Sequence, residues 1–137
     1  SVFSKYWCSG PVPGEYTLSA DVARQMGCVA LTTGRVDADI SGIVGDAPSY
    51  DISEVIINNP GNYYIEAQET TLSVVDGATD RSDRRTIVPF TGDIRVDGGG
   101  GITDIVPTNN GANYKGVPKT VKGVENNYVD IIVNRRN

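Results

Sequence analysis

The sequence predicts a mainly β fold, a β-sandwich or a small barrel with an internal two-fold β repeat, one short helix and an extended N-terminal arm. Two observations lead to this prediction. Glycine (16 residues) and proline (7 residues) are frequent among the 137 residues, which together with many Asn and Asp residues indicates numerous turns and short strands. One segment also matches a later segment at a constant shift of 50 residues. The length fits one domain, whose core needs no metal or disulfide to be stable.

The repeat is clearest in two five-residue segments, 52–56 and 102–106, which agree position by position through similar residues. Their β-branched residues suit a pleated strand, and the Asn and Gly residues that follow suit a tight turn. Two units are therefore expected, at approximately 38–87 and 88–137. The further matched pairs are Asn59 with Asn109, Gly61 with Gly111, Tyr64 with Tyr114, Thr70 with Thr120 and Val74 with Val124.

The two matched tyrosines are interpreted as structural. Tyr64 and Tyr114 each follow the turn glycine of their unit at the same distance. A tyrosine in this place can lay its ring over the hairpin while its hydroxyl forms a hydrogen bond back to the backbone.

The remaining elements are predicted from periodicity and turn residues. Residues 1–16 contain two prolines and are predicted to form an irregular arm before a single β domain at 17–137. Ser19 and Gly27 are placed as the N-cap and the C-terminal stop of a short helix. Strands are expected near 28–33, 35–44, 52–57, 63–67, 70–75, 85–90, 93–97, 102–106, 119–124 and 127–133, and loops at 76–83 and 98–101.

The charge balance argues against several partners. The formal net charge is −5, so the chain is not expected to bind nucleic acid. No stretch approaches the roughly 20 apolar residues of a membrane span, and the first residues do not read as a signal peptide. We therefore expect assembly in a cytoplasm without membrane contact, although a secreted chain whose signal peptide had been removed would have the same sequence features. Two basic groups are interpreted as solvated charge in a loop and at a terminus, namely Arg81, Arg84 and Arg85, and Arg135 with Arg136.

The two cysteines leave alternatives open. Cys28 begins the apolar run 28–31 and is interpreted as a small buried side chain, whereas Cys8 follows two aromatic residues. A bridge between Cys8 and Cys28 remains the alternative. Metal ligation is not expected, because the chain contains no His and no CxxC pair.

No catalytic residues are predicted, and the chain is expected not to be an enzyme. His is absent, which removes the commonest general base, and no GxSxG motif provides an activated serine. A glycosidase would need paired carboxylates, but Glu54 and Asp104 occupy matched repeat positions, which duplication explains. The glycine run 98–101 lacks the Lys-Ser/Thr of a phosphate-binding loop, and no cofactor is expected.

A calcium site is considered for the acidic loop 76–83. This loop contains three carboxylates, and Asp37 with Asp39 adds a further pair of the hard oxygen ligands that calcium prefers. The spacing is not that of an EF-hand, and neighbouring arginines can neutralise the acids. We therefore predict a solvated, salt-bridged loop and no metal.

The N-terminal arm provides the predicted partner-binding residues, which are Phe3, Tyr6, Trp7 and Val12. Aromatic residues anchor protein interfaces well, and an arm of this kind can add a strand to a neighbouring sheet. The alternative is that the arm folds back and completes the core of its own chain.

The segment Gly-Ala-Asn-Tyr-Lys-Gly-Val-Pro-Lys-Thr-Val at 111–121 has a glycine-containing turn, then Tyr, then Pro and an alternating strand. This pattern, which covers 52–75 and 102–124, resembles virion proteins of tailed bacteriophages, including capsid decoration (cement) and tail or baseplate proteins. The resemblance implies a non-enzymatic structural protein of the virion that braces neighbouring major capsid or tail subunits, usually a homo-oligomer and often a trimer. The alternative function is a carbohydrate- or calcium-dependent adhesion module.

Overall fold

The computed structural model describes residues 2–8, 10–31, 34–65, 71–78 and 85–135. The chain is mainly β with one helix, so the predicted fold class is confirmed. The elements are β1 (Phe3–Cys8), β2 (Gly14–Ser19), α1 (Ala20–Met26), β3 (Val29–Ala30), β4 (Asp39–Val44), β5 (Ile52–Asn59), β6 (Thr71–Val75), β7 (Thr91–Val96), β8 (Ile102–Asn109), β9 (Val117–Val121) and β10 (Val124–Asn134).

The described strands form three antiparallel sheets. The first has the strand order β2-β1-β3, the second β5-β4-β10-β6, and the third consists of β7 and β8. In the second sheet, β9 pairs with residues 124–128 of β10 and β6 pairs with residues 130–134. The long strand β10 therefore pairs with β4, β6 and β9, which lie far apart in the sequence.

The internal repeat is present in the structure. β5 and β8 begin and end at matched positions. Each is followed by a turn glycine with positive φ, 63° at Gly61 and 71° at Gly111. The side-chain oxygens of Asn59 and Asn109 accept hydrogen bonds from the N–H groups of these glycines at 2.9 and 2.8 Å. Asn and Gly are thus needed together, one to hold the turn and the other to adopt its conformation.

The interpretation of the two tyrosines as structural is confirmed. Tyr64 and Tyr114 are both buried. Their hydroxyl oxygens accept hydrogen bonds from the N–H groups of Ala38 and Phe90, each at 2.8 Å. Each tyrosine hydroxyl thereby provides a hydrogen-bond acceptor for the backbone N–H of the residue just before the first strand of its unit.

The repeat also includes β4 and β7, at a shift of 52 residues. Both strands pair with the following strand in the same way, and the register irregularities fall at equivalent places. The shift differs from 50 because the connection 45–51 is two residues longer than the connection 97–101. A search at one constant shift therefore finds only the second half of each unit.

The two copies hold each other reciprocally. The N–H of Ile52 donates to the carbonyl oxygen of Asn110 at 2.9 Å, and the N–H of Ile102 donates to that of Pro60 at 2.9 Å. This exchange is typical of a two-fold arrangement, in which each unit makes with its neighbour the contact that the neighbour makes with it.

The equivalence ends after the tyrosines. Val74 lies inside β6, whereas Val124 begins β10 directly after a two-residue turn. The turn residues Lys122 and Gly123 both have positive φ, as a type I′ hairpin requires. The sequence match of Val74 with Val124 therefore has no structural counterpart, and the matched Thr70 lies outside the described residues.

The N-terminal segment is extended, but the prediction that it is irregular is wrong. β1 pairs with β2 in a six-residue antiparallel register, from Phe3 opposite Ser19 to Cys8 opposite Gly14. The prolines lie in the connection between the two strands, where a missing N–H breaks no ladder hydrogen bond. The expected boundary between residues 16 and 17 falls inside β2.

Some of the other predicted elements are confirmed and others are wrong. The helix is confirmed with its caps, because the Ser19 hydroxyl accepts from the N–H of Val22 and Gly27 adopts a left-handed conformation. The loop at 98–101 is confirmed as the connection of the β7–β8 hairpin. The strand expected at 85–90 is wrong, because Pro89 has no N–H and only an isolated bridge joins Val88 to Ala112. Residues 63–65 are not strand, and the rest of the strand expected at 63–67 lies outside the described residues.

The main core lies where the two copies meet β10. The buried cluster consists of Ile40, Val44, Ile52, Tyr64, Phe90, Ile94, Ile102, Ile105, Tyr114, Val129, Ile131 and Val133.

No helix among the described residues is long and apolar enough to cross a membrane.

Candidate partner-binding surface

The four predicted partner-binding residues do not form one exposed site. Phe3 and Val12 are 61% and 66% exposed, and both can be reached by another molecule. Tyr6 is half-buried opposite Tyr16 in the centre of the N-terminal sheet. Trp7 is only 2% exposed.

Trp7 anchors the N-terminal sheet to its own chain. Its indole N–H donates to the carbonyl oxygen of Gly98, in the β7–β8 hairpin loop, at 3.3 Å. Its ring centre lies 5.9 Å from that of Tyr63 in a tilted arrangement. The side chain is thus occupied by intramolecular contacts, as the fold-back alternative expects. The placement of Trp7 among exposed partner-binding residues needs correction, because strand pairing turns its ring inward.

A disulfide closes the N-terminal sheet. Cys8 and Cys28 are bridged, with their Cα atoms 4.4 Å apart, so the alternative of a disulfide is confirmed and the interpretation of Cys28 as simply a small buried side chain is wrong. Trp7, next to Cys8, lies opposite Val29 of β3, and this register brings the two cysteines together. An ion pair between Arg35 and Glu15 adds a second link from β2 to the rest of the chain.

Several exposed apolar side chains of this segment were missed by the sequence analysis. In α1, Ala23 is the buried residue, so Val22 and Met26, four positions apart, are left exposed. Their i, i+4 spacing places both side chains on one face of the helix and could be read from the sequence. In a helix this short, however, such an apolar face usually packs against the core. Val2 and Val29 are exposed as well, and with the predicted Phe3 and Val12 these side chains form what we call the N-terminal apolar set: Val2, Phe3, Val12, Val22, Met26 and Val29.

Arg135 has a structural role that the sequence analysis missed. Its side chain is 15% exposed, so the interpretation as solvated terminal charge is wrong for this residue. The guanidinium contacts the carboxylate of Asp37 at 3.0 Å and donates to the carbonyl oxygens of Asn62 and Val36 at 2.9 and 2.7 Å. It also lies 4.0 Å from the ring centre of Tyr64, as a cation–π contact requires. Arg81, Arg84 and Arg136 lie outside the described residues.

A narrow cleft of about 50 Å³ separates the N-terminal sheet from the repeat. It accommodates little more than a water molecule or two, so it is a seam between packed parts rather than a substrate pocket. Its lining residues are Trp7, Gly14, Glu15, Arg35, Tyr63, Tyr64, Ile65 and Arg135.

Replacement of Arg135 by alanine is expected to lower the free energy of unfolding by about 1–2 kcal/mol, because the carbonyl oxygens of Asn62 and Val36 lose their donor and Tyr64 loses its cation. Urea denaturation followed by circular dichroism measures the change. Arg24→Ala is the matched control, because the Arg24–Asp21 ion pair is exposed and should contribute at most about 0.5 kcal/mol. Equal costs for the two variants would contradict this role of Arg135.

The acidic residues considered for calcium are only partly described. Asp76 accepts hydrogen bonds from the N–H groups of Gly116 and Lys115 at 2.6 and 3.0 Å, so its carboxylate holds the backbone before β9. The described residues contain no group of three or more potential metal ligands, and Asp80 and Asp83 lie outside them. Asp37 is paired with Arg135.

Comparisons with protein-family models, with curated proteins and with solved structures gave no match for this chain.

Proposed function

We propose that this chain is a non-enzymatic structural protein that binds other protein subunits of a particle, as an accessory virion protein of the capsid-decoration type does. The observation that carries the proposal is the N-terminal apolar set on a rigid support. Phe3 and Val12 are among the most exposed apolar side chains of the described chain, although a fold of this size has room to bury them.

Rigid support matters because binding costs less when the contact residues are already held in place. The N-terminal sheet is closed by the Cys8–Cys28 disulfide and fixed to the repeat through Trp7. Phe3 is in β1, the central strand of that sheet, and Val12 is in the connection between β1 and β2. Apolar groups presented in this way suit the bracing of neighbouring subunits.

The disulfide supports a location outside a reducing compartment. Such bonds persist in oxidising surroundings and are rare in the cytosol. On a particle released from the host cell, which is in oxidising surroundings, the Cys8–Cys28 bond keeps the N-terminal sheet closed while its apolar set contacts neighbouring subunits.

Replacing Phe3 and Val12 together by serine is expected to weaken binding to particles at least about tenfold, since each change removes apolar area from a contact. Co-sedimentation of the purified chain with phage particles assembled without it measures this binding. The fold should be unaffected, because both side chains are mostly exposed.

The matched control is Val124→Ser at the start of β10, since Val124 is also exposed but lies far along the chain from the N-terminal sheet. It should bind particles as the unchanged protein does. The proposal fails if the unchanged chain binds no particle, and this role of the apolar set fails if the double variant binds as well as the control.

A further inference from the structure

The two copies of the repeat differ in what lies beside their first strand. β4 pairs with β5 on one side and with β10 on the other, where Gly42 faces Val129. The equivalent strand β7 pairs only with β8 among the described residues. The position equivalent to Gly42 in the second copy is Ile94. The edge that β10 covers in the first copy is therefore not paired with any described strand in the second.

The pairing of β7 with β8 determines which backbone groups face this edge. In an antiparallel pair, residues alternate between exchanging both hydrogen bonds with their partner and turning both groups away from it. Gly92 lies opposite Pro107, which has no N–H to donate, so this pair is of the second kind. Ile94 lies two residues further on, opposite Ile105, and belongs to the same kind. The N–H and C=O groups of Gly92 and Ile94 therefore face outward.

The hydrogen bonds around Ile94 agree with this orientation. The carbonyl oxygen of Ile94 accepts from the guanidinium of Arg95, its own neighbour, at 3.1 Å. The N–H of Ile105 donates to the carboxylate of Asp104, again its own neighbour, at 2.8 Å. Groups that point away from the strand pair are thus bound by adjacent side chains. A groove of about 420 Å³ lies beside the edge of β7, with Gly92 and Asp93 on one side and Thr71 and Leu72 of β6 on the other.

The residues on either side of Ile94 in β7 carry opposite charges. Asp93 and Arg95 flank the buried Ile94 and both are exposed, so they lie on the same outer face of the strand. In the described parts of the chain, neither side chain makes an ion pair. If two β7 strands pair antiparallel with Ile94 opposite Ile94, each Asp93 lies opposite the Arg95 of the other strand.

We propose that β7 is a contact surface for a second copy of this chain, which pairs with it as an antiparallel strand about a two-fold axis at Ile94. In this register the outward groups of the two Ile94 residues exchange both N–H···O=C bonds. The pairs of Asp93 with Arg95 then occupy non-hydrogen-bonded positions, where facing side chains are closest. Identical strands related by a two-fold axis perpendicular to them are antiparallel, so hydrogen-bond pattern, charge and symmetry all agree.

The register favours a second copy over an unrelated strand. Any extended peptide can bind the backbone groups of an edge, but the opposite charges at 93 and 95 make β7 complementary to itself. The contact is two-fold, so it gives a dimer rather than a trimer. It does not depend on the proposed role in a particle, because it is a property of the isolated chain.

The test is the monomer–dimer equilibrium of the isolated chain, measured by sedimentation equilibrium. Asp93→Arg and Arg95→Asp each turn both attractive pairs into like-charge pairs, and each should raise the dimer dissociation constant at least about tenfold. The double variant D93R/R95D restores opposite charges with the two residues exchanged and should bring the dissociation constant back to within about threefold of the original.

The control variants carry the same changes of charge elsewhere. Asp21→Arg and Arg24→Asp alter an exposed ion pair on α1 and should leave the dimer unchanged. The proposal is overturned if the chain remains monomeric up to about 1 mM, a range that covers weak contacts. It is also overturned if the chain forms a trimer, if the single variants on β7 do not weaken the dimer, or if the double variant does not restore it.

Discussion

Replacing Gly111 by alanine is expected to lower the free energy of unfolding by about 3 kcal/mol, the range of strain at a position that only glycine fits. Gly111 has a φ of 71°, which a residue with a Cβ atom adopts at a cost. A Cβ at this place would also lie 2.6 Å from the carbonyl oxygen of Val88 and 2.9 Å from the nitrogen of Phe90. Both atoms belong to the backbone, so the turn must move away from residues 88–90, against which it packs.

Urea denaturation followed by far-UV circular dichroism measures this cost. Gly98→Ala is the matched control, because a Cβ at Gly98 meets nothing within 4 Å and its φ is not positive. The control should change the free energy of unfolding by no more than about 0.5 kcal/mol. Equal stability of the two variants would mean that the turn after β8 is not packed against residues 88–90.

Replacing Trp7 by alanine is expected to lower the free energy of unfolding by about 3–4 kcal/mol, as for other buried tryptophans. The loss combines the buried ring, the contact with Tyr63 and the hydrogen bond to Gly98. Hydrogen exchange should show the increase in opening mainly in β1 and β2, because Trp7 is their deepest contact with the repeat.

Trp7→Phe is the control for this variant. It retains an aromatic ring against Tyr63 and loses only the indole N–H, so it should cost about half as much or less. A partner-binding Trp7 would behave differently, since its removal would leave stability within about 0.5 kcal/mol and abolish binding alone. Trp7 is the only tryptophan, so circular dichroism replaces fluorescence as the measure of unfolding.

The repeat and its turns could be predicted because their physical causes are local. An Asn-x-Gly turn needs one side chain that accepts from the backbone and one residue that tolerates positive φ, and both are visible in the sequence. The same is true of the helix between Ser19 and Gly27, whose caps are single residues. The structural role of the two tyrosine hydroxyls could be predicted because both tyrosines follow the turn glycine at the same distance in the sequence.

The roles of Trp7 and Arg135 could not be predicted, because their partners lie far away in the sequence. Trp7 binds a carbonyl 91 residues later, and Arg135 binds one 99 residues earlier. Alternation along a strand shows that successive side chains lie on opposite faces, but it does not show which face meets another part of the chain. The prolines of the N-terminal segment mark one connection between two strands and not the absence of strands.

The order of the strands in the sheets could not be predicted from the sequence either. β10 pairs with β4, β6 and β9, and its apolar residues would fit any of these neighbours or several others. Pairing across such distances is decided by the whole core at once. The exposed residues of the N-terminal apolar set share this difficulty, because a short helix does not reveal how much of its surface the sheet beneath it covers.

The reciprocal bonds between the copies make the repeat an intramolecular dimer. A single copy would lack the partners that the N–H of Ile52 and the carbonyl oxygen of Pro60 have here, and the second copy supplies both. Because both copies belong to one chain, their association is governed by the effective concentration that the linking segment imposes, not by how much protein is present. Dilution should therefore separate two chains paired through β7 long before it disturbs the two copies within each chain.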